Sequence, residues 1–142
     1  MAFIKHKGKT VTRWLPVTAS TAITKGSIVA WSSGLLIAAT SSTAAKDHVG
    51  VLKRTIASTD ADYAVSGRLV PVEVPVERFV EWRGAVTSGL VAADIGLWVD
   101  LTNALTINRG ASTYDAAQVK KVISTTEGIF YLNLGGATNT IS

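Results

Sequence analysis

A chain of 142 residues is long enough for one domain with a real core and leaves little room for two. It is 47% hydrophobic and only 17% charged, with a mean hydropathy of +0.30; that is lean in charge for a solitary subunit, so the surplus apolar surface points to a subunit or partner interface. The absence of cysteine excludes a disulfide framework, a thiolate metal site and a thiol nucleophile.

The net charge of +4 is unevenly placed. Every acidic residue lies at or beyond Asp47, whereas Lys5, Lys7, Lys9, Arg13, Lys25 and Lys46 precede it. A basic start on a mildly acidic body suggests an element that docks on something negative. The first lysines are not followed by the apolar core of a signal peptide. The longest apolar patch, Ile28 to Ala39, is broken by Ser32-Ser33-Gly34 and is too short to cross a bilayer. The expectation is an intracellular product, or one released by lysis, with no membrane partner.

In chain order, residues 1–17 read as an extended basic arm. Gly8 interrupts it, no helical spacing is present, and Pro16 lacks the amide a central strand needs. Phe3, Ile4, Trp14 and Leu15 are costly to leave in water, so the arm either lies on a partner or folds back as an edge strand. Residues 18–136 are expected to form a single β domain, with 137–142 a loose polar tail.

Gly26 to Leu52 is written twice. A shift of seventy positions superposes Gly26 on Gly96, Val29 on Val99, Leu35 on Leu105, Ile37 on Ile107, Ser42 and Thr43 on Ser112 and Thr113, and Val49 on Val119, without a gap. Each copy reads as a hairpin followed by a return strand. Ser58 to Asp62 is a turn.

Arg68 to Trp82 then gives the clearest strand. Val70, Val72, Val74 and Val76 alternate with Pro71, Glu73, Pro75 and Glu77, so one face is valine and the other polar or proline. The two prolines predict an edge strand, or one bent across two sheets. In the second copy, Thr113 to Ala117 is expected to hold one helical turn capped by Thr113. Val119 to Ser124 and Gly128 to Leu134 are the last strands, with Glu127-Gly128 as the turn. The sum is an all-β compact barrel or sandwich of short strands, built on a duplicated hairpin unit and carrying an extended N-terminal arm.

No catalytic constellation emerges. His6 and His48 stand at unrelated spacing and read as ordinary surface histidines. Asp60 and Asp62 supply too few oxygens for calcium and read as a polar turn. Glu73 and Glu77 are near the spacing of a glycosidase pair, but face solvent or pair with Arg68 and Arg78 on the simpler reading. No catalytic residue, metal or cofactor is expected. Nucleic acid is the rival partner, through the basic arm with Trp14 and Trp31 stacking on bases; the lack of a continuous basic stripe on the body weighs against it.

Thr24-Lys25-Gly26-Ser27-Ile28-Val29, the hairpin into Leu35-Leu36-Ile37-Ala38-Ala39, and Val49-Gly50-Val51-Leu52 together resemble the capsid cement (decoration) proteins of tailed bacteriophages. Ala92-Ala93-Asp94-Ile95-Gly96-Leu97-Trp98-Val99 and the ending Gly128 to Leu134 resemble the second half of that family. The likeness covers most of residues 18–136. It implies a non-enzymatic β-barrel subunit of the virion, made in the host cytoplasm and seated on the outer capsid surface as a homotrimer. Its partners would be itself and the major capsid protein.

On that expectation Phe3, Ile4, Lys5, Lys7, Lys9, Arg13 and Trp14 form the capsid-binding arm, the lysines and Arg13 approaching acidic shell surface and the apolar side chains anchoring in pockets. Val70, Pro71, Val72, Val74 and Pro75 form the subunit interface. Deleting residues 2–15 should then abolish attachment and leave the fold intact.

Overall fold

The short strands of this chain follow from how often its turn residues recur. In the computed structural model, which describes residues 2–77 and 79–135, β1 (Ile4–Lys7) and β2 (Thr10–Val17) are separated by Gly8 at φ +113°, a conformation L side chains rarely adopt. β3 (Ile28–Ser32) and β4 (Leu35–Ala38) turn through Ser33 and Gly34, both at positive φ as a tight hairpin requires. Next come β5 (His48–Leu52), β6 (Arg68–Pro75) and β7 (Glu81–Val86). A second hairpin, β8 (Trp98–Asn103) and β9 (Thr106–Asn108), precedes β10 (Ala117–Ser124) and β11 (Glu127–Leu132). Single turns of 3-10 helix at Ala45–Asp47 and Ala92–Asp94 complete the described elements, and the expected all-β class is what the chain adopts.

The strands close into two rings of the same design. In the first, β2-β4-β3-β5-β6 form a closed barrel in which β2 meets β4 in parallel at Val17–Leu36 and every other pairing is antiparallel. In the second, β7 meets β9 in parallel at Ala85–Thr106 and Val86–Ile107, and β9-β8-β10-β11-β7 run antiparallel around the rest. Strands β2 to β6 therefore correspond in order to β7 to β11. The repeat seen as a hairpin plus a return strand is a repeat of five strands.

The rings share their packing. Val17, Leu36, Val49, Leu52, Val70, Val72 and Val74 fill the first barrel. A second cluster joins Trp82, Val99, Leu101, Ile107 and Phe130 of the second ring to Ile28, Ala30 and Val51 of the first. Alternation along β3 explains the seam: Val29 points into its own barrel, whereas Ile28 and Ala30 point onto the neighbouring one. The Ile28 N–H also donates to the Ala104 carbonyl at 2.8 Å, and Thr40 bridges to Asn103.

Several sequence expectations change. The first seventeen residues are extended, but they are built into the sheets. β1 pairs with β7, and all eight residues of β2 pair with β6, from Thr10–Pro75 to Val17–Arg68. An extended backbone must satisfy its donors and acceptors, and β6 supplies them. Deleting residues 2–15 would remove a barrel strand, so the fold could not stay intact.

The valine strand is likewise an interior stave, between β2 and β5. Lys53 donates to the Pro71 carbonyl at 3.0 Å on the β5 side, so the ring nitrogens of Pro71 and Pro75 face that side, where pairing is limited to Val51–Glu73 and Leu52–Val72. No helical turn forms at Thr113 to Ala117, and the last hairpin turns at Thr125-Thr126, ahead of Glu127-Gly128. The tail at 137–142 and Arg78 lie outside the described residues.

Candidate interaction surface

The N-terminal segment divides into a buried plug and an exposed basic strand. Phe3 is 3% exposed; its N–H donates to the Gly26 carbonyl at 3.0 Å and its ring covers Gly84. It is thus a core residue and has no surface left to anchor a shell. Ile4, Lys5, Lys7 and Lys9 are exposed, with Lys7 opposite Glu81. Arg13 is half-buried and its Nε has no hydrogen-bond partner, while Trp14 stands out at 57% exposure.

Where residues 2–5 cross the first barrel there is a pocket of about 370 Å³. Phe3 and Val51 supply apolar lining, and Lys5, Lys25, Lys53 and Glu73 supply charge. The Glu73 carboxylate accepts from the Thr10 hydroxyl at 2.6 Å, and Lys53 Nζ donates to the Thr12 hydroxyl at 2.7 Å. Three ammonium groups against one carboxylate, over apolar lining, suit an anionic group carried on an apolar stem.

One end of the outer wall of the first barrel is apolar, beyond the Thr10–Glu73 and Thr12–Lys53 contacts. On β2 and β6, Trp14 lies opposite Pro71 and Pro16 opposite Leu69, and Leu69 is 56% exposed. Val70, Val72 and Val74 face the other way and are fully buried in the barrel, so they have no surface for the subunit interface assigned to them. Pro71 is buried and Pro75 half-buried. The alternation that marked this strand assigned its valine face to a partner, whereas the outward residues Leu69 and Trp14 are the ones free to meet one.

Carboxylates fasten the loops around these walls. Asp94 accepts from Arg109 Nη2 at 2.9 Å, Arg109 Nε at 3.1 Å and the Val91 N–H at 3.0 Å. The Arg109 guanidinium, helped by the Val91 N–H, holds the Asp94 carboxyl below its ordinary range. Buried Asp100 accepts three backbone N–H bonds, from Thr113, Tyr114 and Asp115 at 3.0, 2.7 and 2.9 Å. Those bonds hold the segment expected to be helical, in which Asp115 stands at φ +51°, outside the right-handed helical region.

Arg68 is held by Asp62 and, at 3.8 Å, Asp60, so the polar turn is an arginine clasp. Glu77 is exposed, as one of the two expected alternatives had it, and accepts the Lys9 N–H at 2.8 Å; Glu73 is half-buried and bonds Thr10, and Arg68 is taken by Asp60 and Asp62 instead. His48 is not a surface histidine: it is 1% exposed, because β5 is walled in by β3 and β6. Neither of its ring nitrogens has a partner in hydrogen-bond geometry. Burial pushes its pKa down to about 4, against the opposing pull of Asp47 and the Thr43 backbone.

Among the described residues no cluster of His, Asp or Glu gathers in a metal-holding arrangement, and no helix is long and apolar enough to cross a membrane. Lys53 and Leu69 are surface residues that sequence reasoning passed over, and Lys25 entered it only as part of the basic start of the chain. Leu69 was legible as the apolar exception on the polar face of the valine strand, whereas the meeting of Lys25 and Lys53 with Lys5 depends on a chain crossing that no local pattern encodes. No protein-family model matches the sequence, and a comparison with curated proteins returns no match.

Proposed function

We propose that this protein is a non-enzymatic structural subunit of a tailed-bacteriophage virion, which binds the outer capsid surface as an oligomer and stabilises contacts between capsomers. The observation that carries this reading is the outward apolar pair Trp14 and Leu69 on adjacent strands of a rigid barrel wall. Apolar side chains of this size, exposed together beside Pro16, suit a surface that is covered in an assembly. Ile95, Leu97 and Trp98, each exposed at the entry to β8, add further apolar surface on the other ring. The resemblance to capsid decoration proteins supplies the partner, the major capsid protein, and the trimeric state.

Three linked copies of one weak contact bind far more tightly than one, because each later contact is effectively intramolecular. The lysines around the N-terminal pocket would meet acidic shell surface. Two measurements test the proposal. A native mass in solution should give a trimer, and the protein should co-sediment with undecorated heads. A monomer that stays in the supernatant overturns it. Binding to plain single-stranded DNA that weakens steeply with salt would favour the rival nucleic-acid reading, in which the basic N-terminal segment binds, now with Lys25 and Lys53 beside Lys5 in one pocket.

A further inference from the structure

β1 carries its side chains in the reverse of the usual order. Residues paired across an antiparallel ladder share a face, and β1 sets Ile4 opposite Arg83 and Lys5 opposite Trp82. Trp82 is 1% exposed, within the cluster that joins the rings, whereas Ile4 is 58% exposed. An antiparallel strand covering a core ordinarily turns its apolar residue in and its charge out. Here Lys5 leaves the sheet on the face of Trp82, and it lines the pocket of about 370 Å³ where residues 2–5 cross the first barrel.

The backbone is fastened at each lysine of that pocket. The Phe3 N–H donates to the Gly26 carbonyl at 3.0 Å and the Gly26 N–H to the Leu52 carbonyl at 2.8 Å, so three segments are tied in a row. Gly26 stands at φ +88°, and a Cβ there would overlap Ala2, so the crossing requires glycine. The Lys25 N–H donates to the Thr55 hydroxyl at 3.0 Å, and the Lys53 N–H to the Pro71 carbonyl at 3.0 Å. Lys5, Lys25 and Lys53 therefore leave a fixed frame around one hollow, and little backbone order is left to impose on binding.

The charges do not cancel. Glu73 is the carboxylate among the described lining residues, and the Thr10 hydroxyl donates to it at 2.6 Å. Lys53 donates to the Thr12 hydroxyl, which orients its ammonium without neutralising it. The nearby acids are directed elsewhere: Glu77 accepts the Lys9 N–H, and Glu81 stands opposite Lys7. Among the described residues neither Lys5 nor Lys25 forms an ion pair. Three ammonium groups against one carboxylate leave the pocket two charges positive, beside the apolar lining of Phe3, Val51 and Leu52. Like charges held together beside apolar surface favour a bound anion.

We infer that this pocket binds a small amphiphilic anion, one anionic head on a single short apolar stem. The volume lies near the lower end of the range of about 300–1,000 Å³ for small-molecule sites, which suits one stem and excludes a two-chained lipid. The head would sit among the three ammonium groups and the stem along Phe3 and Val51. The inference stands whether or not the protein coats a shell, because the isolated protein carries the lining.

The probe is octyl phosphate, kept below the concentration at which it forms micelles. Octanol supplies the stem without the charge, and inorganic phosphate the charge without the stem. Octyl phosphate should bind at least about tenfold more tightly than either, and should shift the NMR signals of Phe3, Lys5, Gly26 and Lys53. Lys5→Gln and Lys25→Gln should each weaken binding about fivefold, and the double variant should bind no better than it binds octanol. Both side chains are exposed and both residues are fastened through their backbones, so the variants keep the fold. Lys120→Gln, an exposed lysine on β10, should leave binding unchanged.

Equal affinity for octyl phosphate and either half-probe overturns the inference. So does an equal loss in Lys120→Gln, which would assign the binding to overall charge. Signal shifts confined to Trp14 and Leu69 would place the probe on the apolar wall and likewise overturn it. A single-stranded oligonucleotide that displaces octyl phosphate at lower concentration would make the pocket a nucleic-acid site instead.

Discussion

Phe3 lies so close against Gly84 that a Cβ at residue 84 would overlap its ring. The contact ties the start of the chain to a strand in the second ring, and Phe3 belongs to the cluster that joins the two rings. Phe3→Ala should cost about 3–5 kcal/mol through the cavity it leaves. Gly84→Ala should cost about 1–3 kcal/mol by overpacking. The double variant should be less damaging than the sum, because the added methyl enters the space the ring vacates. Urea unfolding of the four proteins checks this, and strict additivity would mean that the two positions do not share that space.

Legibility followed the range of the interactions. The alternation of Val70, Val72 and Val74 and the seventy-residue echo of Gly26 to Val49 are local patterns, and the strands they predict are present. The echo fades after β5 and β10 because the long Lys53–Gly67 connection has no counterpart, β10 and β11 being joined by Thr125-Thr126. That hid the equivalence of β6 and β11. The arm stayed open between a partner and its own domain because pairing partners lie far along the chain: Lys7 finds Glu81, and Arg13 finds Val72, so it folds back on its own sheets. His48 was misjudged because Asp47-His48 reads as polar, while the strand it opens is buried on every side.

The two faces of one strand should separate folding from association. Val72→Ala removes buried methyls from the first barrel and should cost about 2 kcal/mol of stability. Leu69→Ser, on the outward side, should change stability by less than about 0.5 kcal/mol. Combined with Trp14→Ser it should lower the oligomeric mass and weaken co-sedimentation with undecorated heads. A monodisperse oligomer unaffected by the outward pair would move the interface elsewhere.

Asp100 should behave as the fastener of the Thr113–Asp115 loop. Asp100→Ala strands three backbone donors at once and should cost about 3 kcal/mol. Asp100→Asn keeps an acceptor but loses the charge that strengthens such bonds, so roughly half that cost is expected. Hydrogen exchange at Thr113, Tyr114 and Asp115 should accelerate in the alanine variant before any global loss of structure. Unchanged protection there would mean the loop is held by other contacts.

His48 sets a pH dependence with a definite sign. Its folded pKa, about 4, lies below the unfolded value of about 6.5, so between these limits the unfolded chain binds the extra proton. Stability contributed by the neutral ring is complete above about pH 6.5, declines as pH falls, and is fully lost once pH passes below about 4. The separation of the two values corresponds to about 3 kcal/mol. Asp94, whose carboxyl is held below its ordinary range by Arg109, adds a loss in the same direction but only at lower pH, beneath the unfolded carboxylate value. His48→Leu keeps the site apolar and should flatten the decline between pH 6.5 and 4 while leaving the more acidic decline in place. Urea titrations across that range decide the matter: an unaltered slope in the leucine variant would assign the pH dependence to other groups.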